Sequence, residues 1–334
     1  MHLAHNRPWW AASSLGYLSG LRNKERRREG IRVICYHGVV ERKQDPRLER
    51  NFQLLSDFQS QVNVLRRFRV LSLDELTDGL GTPTKRTKPA ALITFDDGYA
   101  NNLIAAEVLN KAKLPWSVFI TTGAVGHEKT IWTIELSLLL LCGEAARLEV
   151  LDRVWPLKTR SERETAFQEI RYPLKSMSSE SRQRTMNCIQ QQFPSGETQR
   201  LLSKFPSLQL LSWAEVRQLA SGGVGVGSHG VTHEIHHEEQ PESVRLFELS
   251  ESKSELERRL GHSCDVFAFP NGNFVPKSAS EVLDAGYKLA LTTQRGTFKP
   301  DVHQHMVPRL WTMSSLRDFS RNFFWEPESA PDEV

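Results

Sequence analysis

An α/β fold is predicted for this chain on two observations. Short apolar runs alternate with amphipathic helical segments at both ends of the sequence, and two of those runs end in glycine-flanked clusters of ionisable residues. Ile31 to Tyr36 reads as the first strand. Asn51 to Phe68 has the period of an amphipathic helix, and Ser72 to Leu80 is a helix opened by the capping box Ser72-x-x-Glu75. A strand over 91–95 leads to a helix near 100–112 and then to the strand Ser117 to Ile120. Residues 127–206 break the alternation: they are rich in Arg, Glu, Gln and Ser, helical in period and without a convincing strand, and so read as a helical insertion. Within them Ile131 to Leu141 is strongly apolar, but it is short and carries Glu135, which suits a buried helix. Alternation resumes with the capping box Ser212-x-x-Glu215, a strand over 224–227 and a long helix over 242–260 closed by Gly261. Strands near 266–269 and 288–292 follow.

With 334 residues, 39% hydrophobic and 25% charged, the chain can bury one large core or two smaller ones, which excludes a disordered tail or a small stapled domain. Cys35, Cys142, Cys188 and Cys264 are scattered and form no C-x-x-C pair, so free thiols are expected rather than a zinc knuckle or a disulfide framework. Near the amino terminus Leu15 to Leu21 precedes the basic cluster instead of following it, which is the wrong order for a signal peptide, and no stretch approaches transmembrane length. A cytoplasmic location is the resulting expectation, with membrane association as its extension. Residues 1–30 hold six Lys or Arg against two Asp or Glu, a net of +4, while the remainder sums to −1. Beside Trp9 and Trp10, this arm reads as a solvated extension or as a peripheral contact with an anionic membrane surface. Nucleic-acid binding is not expected, because the basic excess is confined to that flank.

The chemistry concentrates in two short segments. Thr94-Phe95-Asp96-Asp97-Gly98 closes the run Ala90 to Ile93, so two adjacent carboxylates sit at a strand's carboxyl end. A break at Gly98 could bring both to one site, where a cation offsets their repulsion; a plain turn capping the next helix is the alternative. Residues 223–233 end a second strand in His229 and His233, which face one way if a helical turn follows. Two imidazoles and one carboxylate, with water in the remaining position, form a catalytic rather than a structural zinc set. A rival pattern overlaps them: His233-Glu234-Ile235-His236-His237 fits H-E-x-x-H, but that motif needs a sustained helix, and Gly222 to Gly230 before it and Pro241 after it oppose one.

These segments resemble the motifs of the polysaccharide deacetylase family, the NodB-homology or carbohydrate esterase family 4 domain. Thr94 to Gly98 is similar to its first motif, His229 to His233 to its second, and Phe267-Ala268-Phe269-Pro270-Asn271-Gly272 to its third; Ala285-Gly286-Tyr287 with Thr292-Thr293 resembles the segment that follows. The likeness covers about 31–126 and 207–315, and it implies a distorted (β/α) barrel interrupted by the helical insertion, with the site at the carboxyl ends of the strands. The chain then divides into a basic extension (1–30), a first barrel part (31–126), the insertion (127–206), a second barrel part (207–325) and a tail (326–334). By resemblance Asp96 is a general base, and Asp97, His229 and His233 hold a divalent metal, zinc first and cobalt or manganese as alternatives. A zinc ion lowers the pKa of its water to about 7 and polarises a carbonyl, as amide hydrolysis requires. A backbone N–H near Pro270-Asn271 would donate to the oxyanion, a contribution of roughly 3 kcal/mol.

The third motif departs from the family pattern. Ala268 stands where an Arg usually braces the base, and no late Leu-x-His supplies the general acid. Tyr36-His37 resembles a circularly permuted branch in which an early histidine takes that place; His37 is therefore the expected acid, with His303 and His305 as competitors. Trp132 and Trp311 are candidates for stacking on a sugar ring. The implied activity is hydrolysis of an N-acyl group, N-acetyl first, on a sugar, a polysaccharide or a lipid-linked sugar. A deformylase or other small-amide hydrolase using the same site, and a carbohydrate-binding protein with a dead site, are the alternatives.

Overall fold

The strand Ile31–Tyr36 (β1) is buried at all six positions, as expected where a strand has neighbours on both sides and layers on both faces. The computed structural model describes residues 30–79, 90–303, 305–312 and 315–324. After β1 come Gly38–Val40 (β2) and Phe52–Leu54 (β3), a parallel pair outside the main sheet, and the helix Leu55–Leu65. The expected helix from residue 51 therefore begins later: Phe52 and Gln53 are drawn into pairing with Gly38 and Val39. Arg69–Val70 (β4), the helix Leu73–Asp78, Ala90–Phe95 (β5), the helix Asn102–Ala112 and Ser117–Ile120 (β6) follow. Both capping boxes form as read, at Ser72 with Glu75 and at Ser212 with Glu215.

The segment 127–206 carries the buried helix Trp132–Cys142 and the helices Arg160–Ser176, Ser179–Gln190 and Glu197–Lys204. It also contains an antiparallel hairpin, Arg147–Val150 (β7) with Arg153–Pro156 (β8). The sequence reading missed this hairpin. Its turn is Leu151-Asp152, both residues at positive φ (56° and 55°), without the Asn-Gly or Asp-Gly pair that ordinarily signals such a turn. Leu148, Val150 and Trp155 pack it onto the helices through a core of their own with Leu139, Phe167 and Ile170.

The second half supplies the helix Trp213–Ser221, Gly225–Ser228 (β9), the long helix Glu242–Leu260, Val266–Ala268 (β10), the helix Ser278–Asp284 and Leu289–Leu291 (β11). The helix Pro300–His303, Met306–Val307 (β12), Leu310–Trp311 (β13) and the helix Leu316–Phe324 complete it. The main sheet is parallel in the order β12-β11-β10-β9-β6-β5-β1-β13, with β4 beside the start of β5. Its two edges, β12 and β13, are joined by only Pro308 and Arg309. Three Cα steps can span at most about 11 Å, so the sheet must curl until its edges almost meet. At the opposite end of this seam Phe298 exchanges two backbone hydrogen bonds with Ile31, each of 2.8 Å. The result is a distorted (β/α) barrel.

Strand alternation then sorts side chains into two cores. Val33, Leu92, Phe119, Val266, Leu289 and Leu291 fill the barrel, while Ile34, Ile93, Val118, Val226, Phe267 and Ala290 face the helices. The four cysteines are free. Among the described residues no helix is long and apolar enough to cross a membrane. The arm 1–29 with Trp9 and Trp10, Leu80 at the expected end of the second helix, and the tail 326–334 lie outside the described residues.

Gly227 measures how full the barrel is. A Cβ there would stand 2.3 Å from the Phe119 ring and 2.9 Å from the Val266 carbonyl oxygen. Gly227→Ala is expected to destabilise the protein by ~1–3 kcal/mol through overpacking, seen as a lowered thermal midpoint. An unchanged midpoint would mean that the interior can yield.

Candidate active site

Asp96 prolongs the inward row of β5, following Ala90, Leu92 and Thr94, and lies at the barrel's mouth. Asp97 would point to the opposite face if the strand continued, but it adopts φ 70° and Gly98 φ 75°, and this left-handed turn brings both carboxylates to one site. From β9, His229 extends along β6 by donating its backbone N–H to the Ile120 carbonyl at 2.8 Å. His233 reaches the same point by a different route from the helical turn expected. Residues 229–240 contain no helix, and His233 itself takes φ 62°.

The donor chemistry at this point fits a cation. Asp97 Oδ1 lies 3.2 Å from His229 Nε2 and 3.3 Å from His233 Nε2, with all three residues buried. His229 Nδ1 is 2.7 Å from the Ala268 carbonyl oxygen, which can only accept, so Nδ1 carries a proton and Nε2 is the atom turned toward Asp97. A ring nitrogen facing a carboxylate oxygen at that distance calls for positive charge between them, supplied by a proton or by a metal ion. The three ligand atoms are all within 4.8 Å of one another, close enough to share one metal ion.

Asp96 is clamped by Arg309, a residue the sequence reading did not single out. Arg309 is fully buried; Nη1 donates to Oδ1 at 2.8 Å, Nη2 to Oδ2 at 2.7 Å, and Nε to the Thr292 carbonyl at 2.9 Å. It comes from the two-residue link between β12 and β13 and makes the contact with Asp96 that was expected of an arginine at position 268, where Ala268 stands. Its one sequence signal was a lone Arg between the apolar pairs Met306-Val307 and Leu310-Trp311. Burial acts to raise the Asp96 carboxyl, but the charge of Arg309, with that of His229, outweighs it and holds the group at about 2. Cys35, His37 and Asp96 form a second close trio, with the Cys35 thiol 3.3 Å from Asp96 Oδ2. That trio is poor for a cation: burial pushes the thiol well up, and Arg309 already occupies both carboxylate oxygens.

His37, Trp132, Trp311 and Asn271 line the cleft around Asp96, Asp97, His229 and His233. The His37 ring stacks on Trp311 with centroids 5.6 Å apart. Trp132 donates its indole N–H to the His233 carbonyl at 3.1 Å, steadying that turn. Asn271 stands at φ 57° with its side chain bonded to Lys175, whereas Pro270 is buried and does not line the cleft. His303 and His305 do not line it either; their Nδ1 atoms lie against the backbone of Lys299 and Lys288.

The family model for polysaccharide deacetylase matches residues 84–290, from just before the paired carboxylates to past both histidines. The chain belongs to the polysaccharide deacetylase family. Among solved structures it is similar to the Streptococcus pyogenes deacetylase PplD in complex with acetate, at 16% identity and a TM-score of 0.58, covering 90% of this chain and 99% of that one. It also resembles IcaB from Ammonifex degensii (19% identity, TM-score 0.55, 86% and 93% covered) and BC0361, a polysaccharide deacetylase from Bacillus cereus (18%, 0.54, 88% and 69%). At these identities the likeness is one of fold. No curated protein matches the chain.

In this deacetylase the H-E-x-x-H pattern is not a site. Glu234 is held by Arg182 and Gln240, His237 Nε2 lies 3.1 Å from the Met177 carbonyl oxygen, and His236 is buried near Phe267 and Phe269. Burial drives the His236 imidazole down to about 3, and neither of its ring nitrogens has a partner among the described residues. Accordingly His229→Ala or His233→Ala should lower zinc affinity in equilibrium dialysis, with His237→Ala near wild type; the opposite ranking would reassign the ligands.

The Arg309–Asp96 pair gives a pH-dependent prediction. A carboxyl at about 2 in the folded state, against about 3.9 when unfolded, contributes stability that is full above the unfolded value and lost as pH falls through 2. In Arg309→Gln burial acts without the opposing charge, so the carboxyl rises. Denaturant titrations over a pH series should show a loss of ~3–5 kcal/mol near neutrality that shrinks as pH falls, because protonating Asp96 relieves the unpaired buried charge. Superimposable stability profiles would refute the pairing.

Proposed function

We propose that this enzyme removes an N-acyl group, N-acetyl first, from an amino sugar within a polysaccharide or glycolipid precursor. The observation that carries the reading is the convergence of Asp97 Oδ1 on two imidazole nitrogens beside an arginine-clamped Asp96. Asp97, His229 and His233 would hold a divalent cation, zinc first. Such an ion supplies Lewis acidity and eases the ionisation of water.

The chain's own groups perform the remaining work. Asp96, kept ionised by Arg309, accepts a proton from the attacking water. The backbone N–H of Asn271 donates to the carbonyl oxygen as negative charge develops there. His37 protonates the departing nitrogen, so that the C–N bond breaks to release acetate and a free amine. Trp311, 38% exposed and already stacked on His37, and Trp132 offer faces to the sugar ring. The basic arm 1–30, with its net charge of +4, would keep the enzyme at an anionic membrane where a lipid-linked sugar resides.

The test is acetate release from N-acetylated sugars in the presence of zinc, cobalt or manganese. Asp96→Asn should lose about a hundredfold or more in turnover while retaining metal. His37→Ala should slow an amide far more than an ester whose leaving group needs no proton. A normal amide rate in His37→Ala would remove that residue from the reaction, and equal metal loss in Asp96→Asn and Asp97→Asn would overturn the division of roles.

A further inference from the structure

Arg50, Arg171 and Lys175 share the cleft with the site residues. Phe167, Arg171 and Lys175 recur every fourth residue along the helix Arg160–Ser176 and so share one face of it. Arg50 reaches the same place from the loop before β3, and the Arg50 and Arg171 guanidinium carbons lie 5.3 Å and 5.5 Å from the centroid of the Phe167 ring. That buried ring holds two like charges beside each other. Lys175 Nζ donates to Asn271 Oδ1, which ties the cationic wall to the third-motif loop.

None of the three has an acidic partner among the described residues. Other cations nearby do: Arg47 pairs with Asp45, Arg153 with Glu169, Arg160 with Glu164, and Arg200 with Glu197. The buried Nε of Arg171 has no hydrogen-bond partner among the described residues. Burial lowers the Lys175 ammonium, and the charges of Arg171 and Arg50 lower it further, so the three cations repel one another. Among the described residues the only acids lining the cleft are Asp96 and Asp97, which Arg309 and the two histidines already engage. Repulsion of this kind disfavours the folded protein unless an anion relieves it.

We propose that this wall binds a phosphoryl group of the substrate, so that the N-acyl sugar delivered to Asp97, His229 and His233 is a glycosyl phosphate or diphosphate. The inference rests on the deacetylase reading and narrows its substrate. Two guanidinium forks and an ammonium match the several oxygens and the charge of a phosphoryl group, where a single carboxylate would leave two cations unneutralised.

The experiment compares kcat/KM for acetate release from four substrates: a neutral N-acetylhexosamine methyl glycoside, its 1-phosphate, a polyprenyl diphosphate ester of the same sugar in detergent, and an N-acetyl disaccharide bearing a uronate. Both phosphoryl substrates should exceed the neutral one by about tenfold or more, with the preference shrinking as salt rises. Preference for the polyprenyl ester over the 1-phosphate would mark a lipid carrier as the source, and equal rates a soluble sugar phosphate. Arg50→Gln/Arg171→Gln should reduce the phosphoryl-to-neutral ratio, and Arg50→Lys/Arg171→Lys should keep part of it. Equal rates on neutral and phosphoryl sugars would overturn the inference and leave the deacetylase reading standing; preference for the uronate would overturn the phosphoryl assignment. Failure to hydrolyse any sugar amide would count against the proposed function instead. Inorganic pyrophosphate titrated into metal-free protein, followed by tryptophan fluorescence, then decides the wall by itself: saturable quenching lost in the Gln variant supports it, and none refutes it.

Discussion

Arg309 makes closure of the barrel and assembly of the site a single event. Its guanidinium is fully buried, and a charge taken out of water costs several kcal/mol unless it is paired and hydrogen-bonded. The partners that satisfy it are Asp96 at the end of β5 and the Thr292 carbonyl just beyond β11. They come together only when the sheet has curled far enough for β12 and β13 to be bridged by two residues. With only two residues in each edge strand, hydrogen bonding within them cannot hold the seam alone. The ion pair at the mouth and the Phe298–Ile31 bridge at the other end hold it from both sides.

The site is also a place where backbone strain is held by its surroundings. Asp97, His233 and Asn271 are three of the six non-glycine residues with positive φ among those described, and all three line the cleft. Each such conformation costs about 1–2 kcal/mol for an ordinary residue. At the second motif the compensation can be named. Glu248, buried on the long helix, accepts hydrogen bonds from the backbone N–H groups of Val231 and Thr232 and from the Thr232 hydroxyl. Gly230 is what lets that helix approach, since a Cβ there would meet Glu248 Oε2 at 2.5 Å. A helical turn would have placed His233 with less strain, but it would not have presented these amide groups to Glu248.

Whatever depends on local pattern was legible in the sequence. Parallel strands buried on both faces read as continuous apolar runs, so β1, β5 and β6 were visible within a residue of their ends; the paired carboxylates stood where β5 stopped, and His229 where β9 did. What escaped depends on contacts far apart in the chain. Arg309 braces a residue 213 positions away, and nothing adjacent to it announces that role. The Leu151-Asp152 hairpin turn is stabilised by Trp155 and Leu148 in the insertion's core rather than by its own residue types. The true start of the first helix was masked because Phe52-Gln53-Leu54 satisfies helical period as well as strand pairing.

The charge layout of the cleft bears on how a substrate would enter. Two carboxylates sit at the floor, each already engaged, Asp96 by Arg309 and Asp97 by the two histidines. The three cations stand on a different wall, formed by the loop before β3 and a helix of the insertion. The cations left without an acidic partner among the described residues are therefore at the rim, where they would hold an anionic part of the proposed substrate while its neutral amide approaches Asp96 and Asp97. The segment 127–206 supplies Trp132, Arg171 and Lys175, whereas Asp96, Asp97, His229 and Arg309 come from the barrel. On the proposed reading, chemistry and substrate choice can vary independently in this architecture: the barrel's strand ends would carry one, and the segment packed over them the other.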